Sequence, residues 1–314
     1  MRPERRPRLI TTATVGRLAI AGGLLVLLIW LLGAAGPVAA RDQRARSHVR
    51  GREHALRQPN ARRGHKIQHV VWIVMENKDF SSVIGAGSAP YINQLGHRFG
   101  LASNYSAISH PSLPNYIALT SGSDQGISDD SDPSSHRLNV PSIFSQLPGG
   151  ASRSLEQGMP SNCAKGDSGE YAVRHDPEAY YTNLGRECSR YSVPFGAKPD
   201  LSARFTFVTP NLINDMHDGS IADGDRFLKR YVPALMATPQ YRSRNTVIFI
   251  VWDENEGTGG NRVPCIVISP FTHGVSAGTH YTHYSLLRTT EDLLGLAPVG
   301  NARSAKSMIG TFGF

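Results

Sequence analysis

The sequence predicts an α/β fold in which a parallel-rich central sheet is sandwiched by helices. Apolar runs of strand length, bounded by turn residues, occur near residues 69–75, 204–208, 246–252 and 263–269. Helical patterns alternate with them near residues 90–98, 114–121, 140–147, 223–236 and 283–294. Strands that are apolar throughout are buried on both faces, and strands that alternate with helices form parallel sheets.

The first 40 residues differ in kind from the rest of the chain. Residues 18–40 carry no charge, are rich in Leu, Ile and Ala, and follow five arginines. Val38-Ala39-Ala40 fits a small-residue cleavage site, whereas an apolar run of about 20 residues can also span a bilayer. We therefore expect a signal peptide or a membrane anchor at residues 1–40. The catalytic part would then be exported, either secreted or anchored outside the cytoplasm.

Residues 41–66 contain nine Arg or Lys and two acidic residues, without apolar periodicity. This composition predicts a disordered basic tether, so residues 18–66 could associate with a membrane or the cell envelope. The whole chain has a net charge of +8, but residues 67–314 have a net charge of −3. Because the basic charge lies in the leader and tether, we expect no nucleic-acid partner.

Residues 67–314 are long enough to form one large catalytic domain. The alternation of strands and helices breaks between about residues 123 and 203, a segment rich in Gly, Ser, Asp, Pro and Tyr. We expect this insertion to fold over the carboxyl edge of the sheet as a lid. Cys163 and Cys188 lie within it and could form a disulfide in an oxidising compartment, whereas Cys265 should pack as a buried apolar residue.

Two predicted strands end in pairs of oxygen-donor side chains. Glu76 and Asn77 follow the first apolar run, and Asp253 and Glu254 follow the run at 246–252. Open α/β sheets bind ligands outside the carboxyl ends of their strands, so the four groups should meet there. Acidic residues also begin solvated loops, but two matching pairs favour a metal site. Such hard ligands favour one divalent ion, with Ca²⁺, Mg²⁺ or Mn²⁺ preferred to Zn²⁺.

Ser112 precedes a helical pattern that Pro114 opens. A serine at this place is either a helix N-cap or a nucleophile. A metal held by the four oxygen donors could take the Ser112 oxygen as a further ligand and lower its pKa, so that it attacks as an alkoxide. Asn115, one helical turn further on, would point its amide at the same space and could donate to a phosphoryl oxygen.

Two histidines lie where they could join this site. His217 follows the strand near 204–208, and His175 lies in the predicted lid. Each could bind phosphate oxygens or protonate a leaving group, although either could be an ordinary loop histidine. We expect His283, at the start of the last helix, to support the site or the helix terminus.

Six short motifs occur in order between about residues 68 and 296. They are Met75-Glu-Asn-Lys-Asp-Phe80, Ser109-His-Pro-Ser-Leu-Pro-Asn115, Arg174-His-Asp-Pro177, Asn214-Asp-Met-His-Asp218, Trp252-Asp-Glu254 and the segment 283–295. Together they resemble the bacterial phosphoesterase family that contains acid phosphatases and phosphocholine-type phospholipases C. The resemblance implies an alkaline-phosphatase-like fold and a hydrolase of phosphoric esters, whose substrate is a small molecule or a phospholipid headgroup.

The resemblance also implies a role for each candidate residue. Ser112 matches the nucleophile of the family. The metal ligands are matched by Glu76, Asn77, Asp253 and Glu254 together with the oxygen of Ser112. The residues that contact the phosphoryl group are matched by Asn115, His175 and His217. Asp176 departs from the pattern, because the family often has Asn at this place.

We expect an exported, acid-phosphatase-like phosphomonoesterase that acts through a phosphoserine intermediate. The alternatives are a phospholipase C-type phosphodiesterase and, second, a non-catalytic protein bound to the envelope. A sulfatase would need Arg in place of Leu113, two residues after Pro111. A serine esterase would need a nucleophile elbow, a Gly-x-Ser-x-Gly turn between a strand and a helix, and we expect none.

Overall fold

A computed structural model describes residues 66–314, apart from residues 197 and 258. The predictions for the leader and for nearly all of the tether concern residues 1–65, which lie outside the described residues. In chain order the strands are β1 (His69–Met75), β2 (Gly100–Ala102), β3 (Tyr105–Ser106), β4 (Ser152–Glu156), β5 (Ser192–Pro194), β6 (Phe205–Thr209), β7 (Thr246–Trp252), β8 (Cys265–Ile268), β9 (Val275–Ala277) and β10 (Tyr281–Thr282).

The α-helices, many of them a single turn, are α1 (Phe80–Val83), α2 (Pro90–Arg98), α3 (Ser112–Ser121), α4 (Ile143–Gln146), α5 (Arg186–Tyr191), α6 (Ile221–Met236), α7 (Pro239–Arg242), α8 (His283–Leu294) and α9 (Ile309–Phe312). Short 3₁₀ helices occur at Val173–His175, Pro177–Tyr180, Thr182–Leu184 and Gly300–Arg303. Among the described residues, no helix is long and apolar enough to cross a membrane.

The central sheet has the strand order β5-β4-β6-β1-β7-β8-β2-β9, and β3 pairs with β10 in a small separate sheet. β1 lies in the middle of the central sheet and pairs in parallel with β6 and β7. β4 pairs in parallel with β6, and β5 pairs in parallel with β4. The predicted α/β fold with a parallel-rich sheet is confirmed.

The core explains why these runs form strands. Every residue of β6, β7 and β8 is buried, as are the last six residues of β1. The Trp72 ring packs edge-on against Phe205 at 4.8 Å, and its indole nitrogen donates to Thr290 Oγ1 of α8 at 3.0 Å. Helices α3 and α8 pack against each other, as do α2 and α6. Burial on both faces is what the continuous apolar runs require.

Strand β8 runs against the direction of its neighbours in this parallel-rich sheet. It runs antiparallel to both β7 and β2. The described residues of the connection from β7 to β8, residues 253–264 apart from 258, form no helix. Because a parallel return needs a longer crossover, usually through a helix, β8 folds directly back along β7.

The segment from 123 to 203, expected to form a lid, also extends the sheet. It supplies β4 and β5, whose sequences are short and partly polar and therefore lack the apolar run that marks a buried strand. The helical pattern near 140–147 corresponds to one turn, α4. The remainder of this segment contains α5, three of the 3₁₀ helices and the loops between them.

The structure joins Cys163 and Cys188 in a disulfide, with their Cα atoms 5.4 Å apart, and leaves Cys265 free and buried. The bridged cysteines are 25 residues apart in the sequence. A Cys163→Ser/Cys188→Ser variant should lose about 3 kcal/mol in free energy of unfolding, because the unfolded chain is no longer cross-linked. Urea denaturation without reductant measures this loss. Wild type treated with dithiothreitol should behave like the variant, and equal midpoints for oxidised wild type and variant would contradict the prediction.

Candidate active site

The two predicted pairs of oxygen donors lie side by side at the carboxyl edge of the sheet. β1 and β7 are parallel neighbours that end level with each other. Glu76 and Asn77 therefore begin the loop beside the one that Asp253 and Glu254 begin, and Asn77 N donates to Asp253 Oδ1 at 3.3 Å. Glu76, Asp253 and Glu254 are all buried. Strand pairing alone thus brings three acidic side chains together.

Ser112 points into this acidic group and does not cap its helix. It is the first residue of α3, where Pro111 occupies the cap position without a side-chain hydrogen bond. The Ser112 hydroxyl donates to Glu76 Oε2 at 3.0 Å and lies 3.4 Å from both Asn77 Oδ1 and Glu254 Oε1. The structure therefore brings Ser112 together with the predicted metal-binding side chains.

Burial and mutual repulsion disfavour the ionised form of these carboxyl groups. Burial, reinforced by the charges of Asp253 and Asp215, raises the pKa of Glu76 well above its usual range. Burial likewise raises the pKa of Asp253 to about 7. The pKa of Glu254 is raised to about 9, first by burial and then by Asp253. A cation among these groups would compensate both effects and hold them ionised at neutral pH.

Several buried atoms at the site have an environment that suits a cation. Within the described part of the chain, Asp253 Oδ2, Asp215 Oδ2 and His175 Nε2 have no hydrogen-bond partner. The side-chain oxygen of Asn77 faces only acceptors, and a rotated amide would donate to Glu76 Oε2 at 2.7 Å and Asp253 Oδ1 at 3.2 Å. A cation between these oxygens would satisfy them without rotation of the amide. The donor set therefore fits a divalent metal ion.

A second candidate set of ligands shares Glu76 with the first. Single donor atoms of Glu76, His175 and Asp215 all lie within 4.8 Å of one another, and all three residues are buried. Sequence reasoning missed Asp215, although it lies in the same motif as His217. Its position just after β6, the neighbour of β1, could have revealed it. Oxygen ligands alone favour Mg²⁺, Ca²⁺ or Mn²⁺, whereas the imidazole of His175 also suits Zn²⁺.

His175 lies between two carboxylates and against an aromatic ring. Its Nε2 is 3.5 Å from Glu76 Oε1 and its Nδ1 is 3.6 Å from Asp215 Oδ2. The ring stacks on Tyr116 with centroids 5.1 Å apart, and the Tyr116 hydroxyl donates to Glu76. Burial, together with the charge of Arg174, lowers the pKa of His175 well below its usual value. Burial therefore favours the neutral form of the His175 imidazole.

His217 lies nearer the surface, beside His175. The ring centroids of the two histidines are 5.8 Å apart, and the His217 side chain is 29% exposed. Its Nδ1 is 2.7 Å from Asp218 Oδ1, and its Nε2 is 3.2 Å from Arg174 Nη2. Because arginine can only donate, Nε2 is the acceptor and Nδ1 carries the proton. His217 thus presents a defined tautomer at the edge of the site.

Asn115 lies one turn after Ser112, but its amide is already fully engaged. Its Oδ1 accepts from the backbone N of both Ile108 and Ser109 at 3.0 Å. Its Nδ2 donates to the carbonyls of Ser109 at 2.8 Å and Pro111 at 3.1 Å. In this arrangement Asn115 fixes the loop that carries Ser112. A direct bond to a phosphoryl oxygen would require one of these bonds to break.

The amino terminus of α3 is partly occupied by a carboxylate that sequence reasoning missed. Leu113 N donates to Asp130 Oδ1 at 2.9 Å. The other oxygen, Asp130 Oδ2, is 3.9 Å from Nε of Arg174. An anion is therefore accommodated between the helix terminus and a guanidinium, directly beside Ser112.

The chain is similar in sequence to several known proteins. Residues 203–297 match the model of the Phosphoesterase family. Over 253 residues the chain is 31% identical to phosphatidylinositol-3-phosphatase of Mycobacterium tuberculosis, covering 78% of this chain and 83% of that protein. The chain belongs to the phosphoesterase family. It is also 25% identical over 262 residues to the phosphate-repressible acid phosphatase of Penicillium chrysogenum, covering 76% of this chain but only 61% of the fungal protein.

The fold of this phosphoesterase has solved counterparts. A protein of the alkaline phosphatase superfamily from Vibrio parahaemolyticus superposes with a TM-score of 0.51 at 11% identity, covering 76% of this chain and 70% of that one. At this level of identity the likeness establishes the fold alone. Family membership makes the chain a hydrolase acting on phosphoric ester bonds. The expectations of family, fold class and enzyme class are confirmed.

Asp176, the departure from the family pattern, does not face the site of the phosphoesterase. Its buried carboxylate accepts from Ser192 Oγ at 2.9 Å and from the Tyr171 hydroxyl at 3.2 Å. It lies close enough to Glu156 and Glu178, both buried, to raise the pKa of each, although burial is the first cause. The departure therefore changes the contacts that hold the segment carrying His175 in place. It does not change a side chain that faces the candidate active site.

His283 supports the phosphoesterase site from behind, as expected. Its Nε2 lies 2.6 Å from the carbonyl oxygen of Asp253, and its Nδ1 lies 3.0 Å from the Tyr105 hydroxyl. Burial lowers its pKa to about 4, so the ring is neutral and donates to the Asp253 carbonyl. This bond fixes the backbone from which the Asp253 carboxylate projects.

One Gly-x-Ser-x-Gly pattern does occur in the sequence, at residues 274–278. Its serine, Ser276, is exposed and lies inside strand β9. A nucleophile elbow instead needs a sharp turn from a strand into a helix. The pattern therefore gives no support to a serine esterase.

Proposed function

We propose that this phosphoesterase hydrolyses phosphomonoesters through a phosphoserine intermediate on Ser112. The observation that carries the proposal is the position of the Ser112 hydroxyl, 3.0 Å from Glu76 Oε2 at the amino terminus of α3. A serine among buried carboxylates has acceptors for its proton. A helix amino terminus beside it favours the negative charge of a phosphoryl group.

In the proposed reaction, Ser112 Oγ attacks phosphorus in line with the leaving oxygen while Glu76 holds the serine proton. Tyr116 keeps the Glu76 carboxylate in place through its hydroxyl, and Asn115 holds the loop before Ser112. His217 is the more accessible of the two histidines to a leaving group, because its side chain is 29% exposed whereas His175 is 2% exposed. To supply the leaving-group proton, His217 must first carry that proton on Nε2, the nitrogen that accepts from Arg174 in this structure. Water then hydrolyses the phosphoserine.

We propose that Glu76, Asn77, Asp253 and Glu254, with the Ser112 oxygen, hold one divalent metal ion. Such an ion supplies positive charge that lowers the pKa of the serine and stabilises charge on the phosphoryl oxygens. The alternative ligand set of Glu76, His175 and Asp215 shares one carboxylate with the first. Mg²⁺, Ca²⁺ and Mn²⁺ suit the oxygen-rich set, and metal analysis of the purified protein identifies the ion.

We also propose that the enzyme acts outside the cytoplasm, either secreted or anchored, with residues 18–66 able to associate with a membrane or the envelope. The apolar leader and basic tether support this proposal. The bridge between Cys163 and Cys188 supports it as well, since disulfides persist in oxidising compartments. The net charge of −3 over residues 67–314 gives no support to a nucleic-acid partner.

The names of two relatives support a phosphomonoester substrate for this enzyme. One relative is named a phosphatidylinositol-3-phosphatase and another an acid phosphatase, and both names describe phosphomonoesterases. The phospholipase C-type alternative remains distinct because it would cleave a diester. The non-catalytic alternative loses its basis, since the chain belongs to a family of hydrolases.

A side-by-side assay decides between monoester and diester. We expect turnover of p-nitrophenyl phosphate to exceed that of p-nitrophenyl phosphorylcholine by about 100-fold in kcat/KM, about the discrimination that one or two charged contacts provide. Both assays release the same chromophore and use the same preparation. A preference for the phosphorylcholine ester would overturn the phosphomonoesterase proposal and support the phospholipase C alternative. Vesicles containing phosphatidylinositol 3-phosphate then test whether a lipid monoester is accepted.

A further inference from the structure

Arg174 borders the proposed phosphoryl site, although the roles assigned so far do not use it. It lies in the 3₁₀ helix Val173–His175, directly before His175, and its side chain is 17% exposed. Its Nη2 donates to His217 Nε2 at 3.2 Å. One guanidinium is therefore adjacent to both histidines that are predicted to contact the phosphoryl group.

The donors of Arg174 are largely unused. A guanidinium has five N–H groups, and within the described part of the chain those of Arg174 make one hydrogen bond, to His217. The nearest carboxylate oxygens, on Asp130 and Asp167, are each 3.9 Å away, beyond hydrogen-bond distance. These two acids keep the positive charge near the site, while its donors stay available to an incoming anion.

The surroundings of Arg174 already accommodate an anion. Asp130 places one oxygen on Leu113 N at 2.9 Å and turns the other towards Arg174. A phosphoryl group on Ser112, the residue before Leu113, would lie next to the same helix terminus. The planar guanidinium fork matches two oxygens of a phosphate, and charged hydrogen bonds of this kind are the strong ones.

We propose that Arg174 binds the non-bridging oxygens of the substrate's phosphoryl group and makes the site prefer dianionic monoesters to monoanionic diesters. This inference rests on the proposed phosphomonoesterase function and names the residue that selects its substrate class. A monoester presents three non-bridging oxygens and up to two negative charges, whereas a diester presents two such oxygens and one charge. Arg174 binds the third non-bridging oxygen, which a monoester has and a diester lacks.

The test compares Arg174→Gln and Arg174→Lys with Arg226→Gln. Arg226 is exposed on α6 and pairs with Asp223. The Arg226→Gln control therefore removes the same guanidinium group at a position outside the candidate active site. Inorganic phosphate affinity is measured by calorimetry, and kcat/KM is measured with p-nitrophenyl phosphate and p-nitrophenyl phosphorylcholine. We expect Arg174→Gln to weaken phosphate binding about 10- to 100-fold and to lower monoester kcat/KM to a similar extent, mainly through KM. The diester should lose less than about 5-fold by the same reasoning, and Arg174→Lys should recover part of the loss.

Unchanged phosphate affinity in folded Arg174→Gln, or an equal loss on both esters, would overturn the proposal. So would wild type that binds no inorganic phosphate. Thermal melting establishes that each variant is folded. If Arg174→Gln is not folded, Arg174→Lys is used in place of Arg174→Gln. The phosphomonoesterase proposal fails by a separate result, a wild-type preference for the diester. Phosphate affinity is measured without turnover, so it tests Arg174 whichever ester is preferred.

Discussion

Ser112→Ala should abolish turnover of p-nitrophenyl phosphate, with kcat reduced roughly 10⁴- to 10⁶-fold, as when a covalent nucleophile is removed. The fold should persist, because Ala is well tolerated in a helix and the lost hydroxyl contributes hydrogen bonds but little packing. The midpoint of thermal unfolding should therefore stay within a few degrees of wild type, corresponding to a change of about 1 kcal/mol.

Ser109→Ala is the matched control for Ser112→Ala, since it removes a hydroxyl from the same loop. Among the described residues, the Ser109 hydroxyl donates only to the carbonyl of His110, at 3.2 Å. This control should retain near wild-type kcat. Near wild-type activity in Ser112→Ala would instead show that the attacking group is not this serine.

Asp253→Asn should lower both the metal content and the rate. Asp253 is buried, and its Oδ2 has no hydrogen-bond partner among the described residues, so an amide of the same shape removes a charged ligand without removing packing. Because even residues that only support a metal ligand change affinity 10- to 100-fold, we expect kcat/KM to fall by about 100-fold or more. Metal stoichiometry by mass spectrometry should fall in parallel with the rate.

The same variant should change how stability depends on pH in metal-free protein. Burial raises the pKa of Asp253 to about 7, above its value in the unfolded chain. Its contribution to stability is therefore fully present below about pH 4 and is lost as pH rises through about 7. After chelation, the unfolding midpoint of wild type should fall over this range, and the fall should be smaller in Asp253→Asn.

Glu256→Gln provides the control for the metal experiment. Glu256 is exposed and pairs with Lys78 at 3.2 Å, two residues beyond Glu254. It should bind metal and turn over substrate like wild type. Unchanged metal stoichiometry in Asp253→Asn would remove Asp253 from the ligand set.

The sequence predicted those parts of the site that depend on strand ends. Glu76 and Asp253 could be placed together because two continuous apolar runs implied buried parallel neighbours, and β1 and β7 are such neighbours. Pro114 predicted a helix that begins just after Ser112, and in the structure Ser112 is the first residue of that helix, α3. A local pattern with one rule of sheet geometry sufficed for the two acids, and a local pattern alone sufficed for Ser112.

Other parts depend on tertiary packing that leaves no local pattern. His175 reaches Glu76 from a 3₁₀ helix in a long segment without regular periodicity, so its contacts with Tyr116 and Asp215 could not be derived. Asn115 has the spacing of a substrate contact, but the backbone of residues 108–111 takes up its amide. Asp215 was missed because His217, two residues further on in the same motif, was taken as the functional residue of that motif.

The direction of β8 and the membership of β4 in the sheet were also beyond the sequence pattern. An apolar run such as residues 265–268 has the same appearance in parallel and antiparallel sheets. Its direction depends on the connection from β7, whose described residues form no helix. β4 carries Ser152 and Ser154 on a buried strand, so its composition does not distinguish it from a loop.

The most direct test of the account is to trap the phosphorylated enzyme. Wild type would be mixed with p-nitrophenyl phosphate, quenched in acid during turnover, digested and analysed by mass spectrometry. We predict one phosphoryl group on the peptide that contains Ser112, located at that serine by fragmentation and absent from Ser112→Ala. A phosphoryl group on His175, His217 or any other residue, or no phosphorylated peptide from enzyme quenched during a pre-steady-state burst, would contradict the central claim.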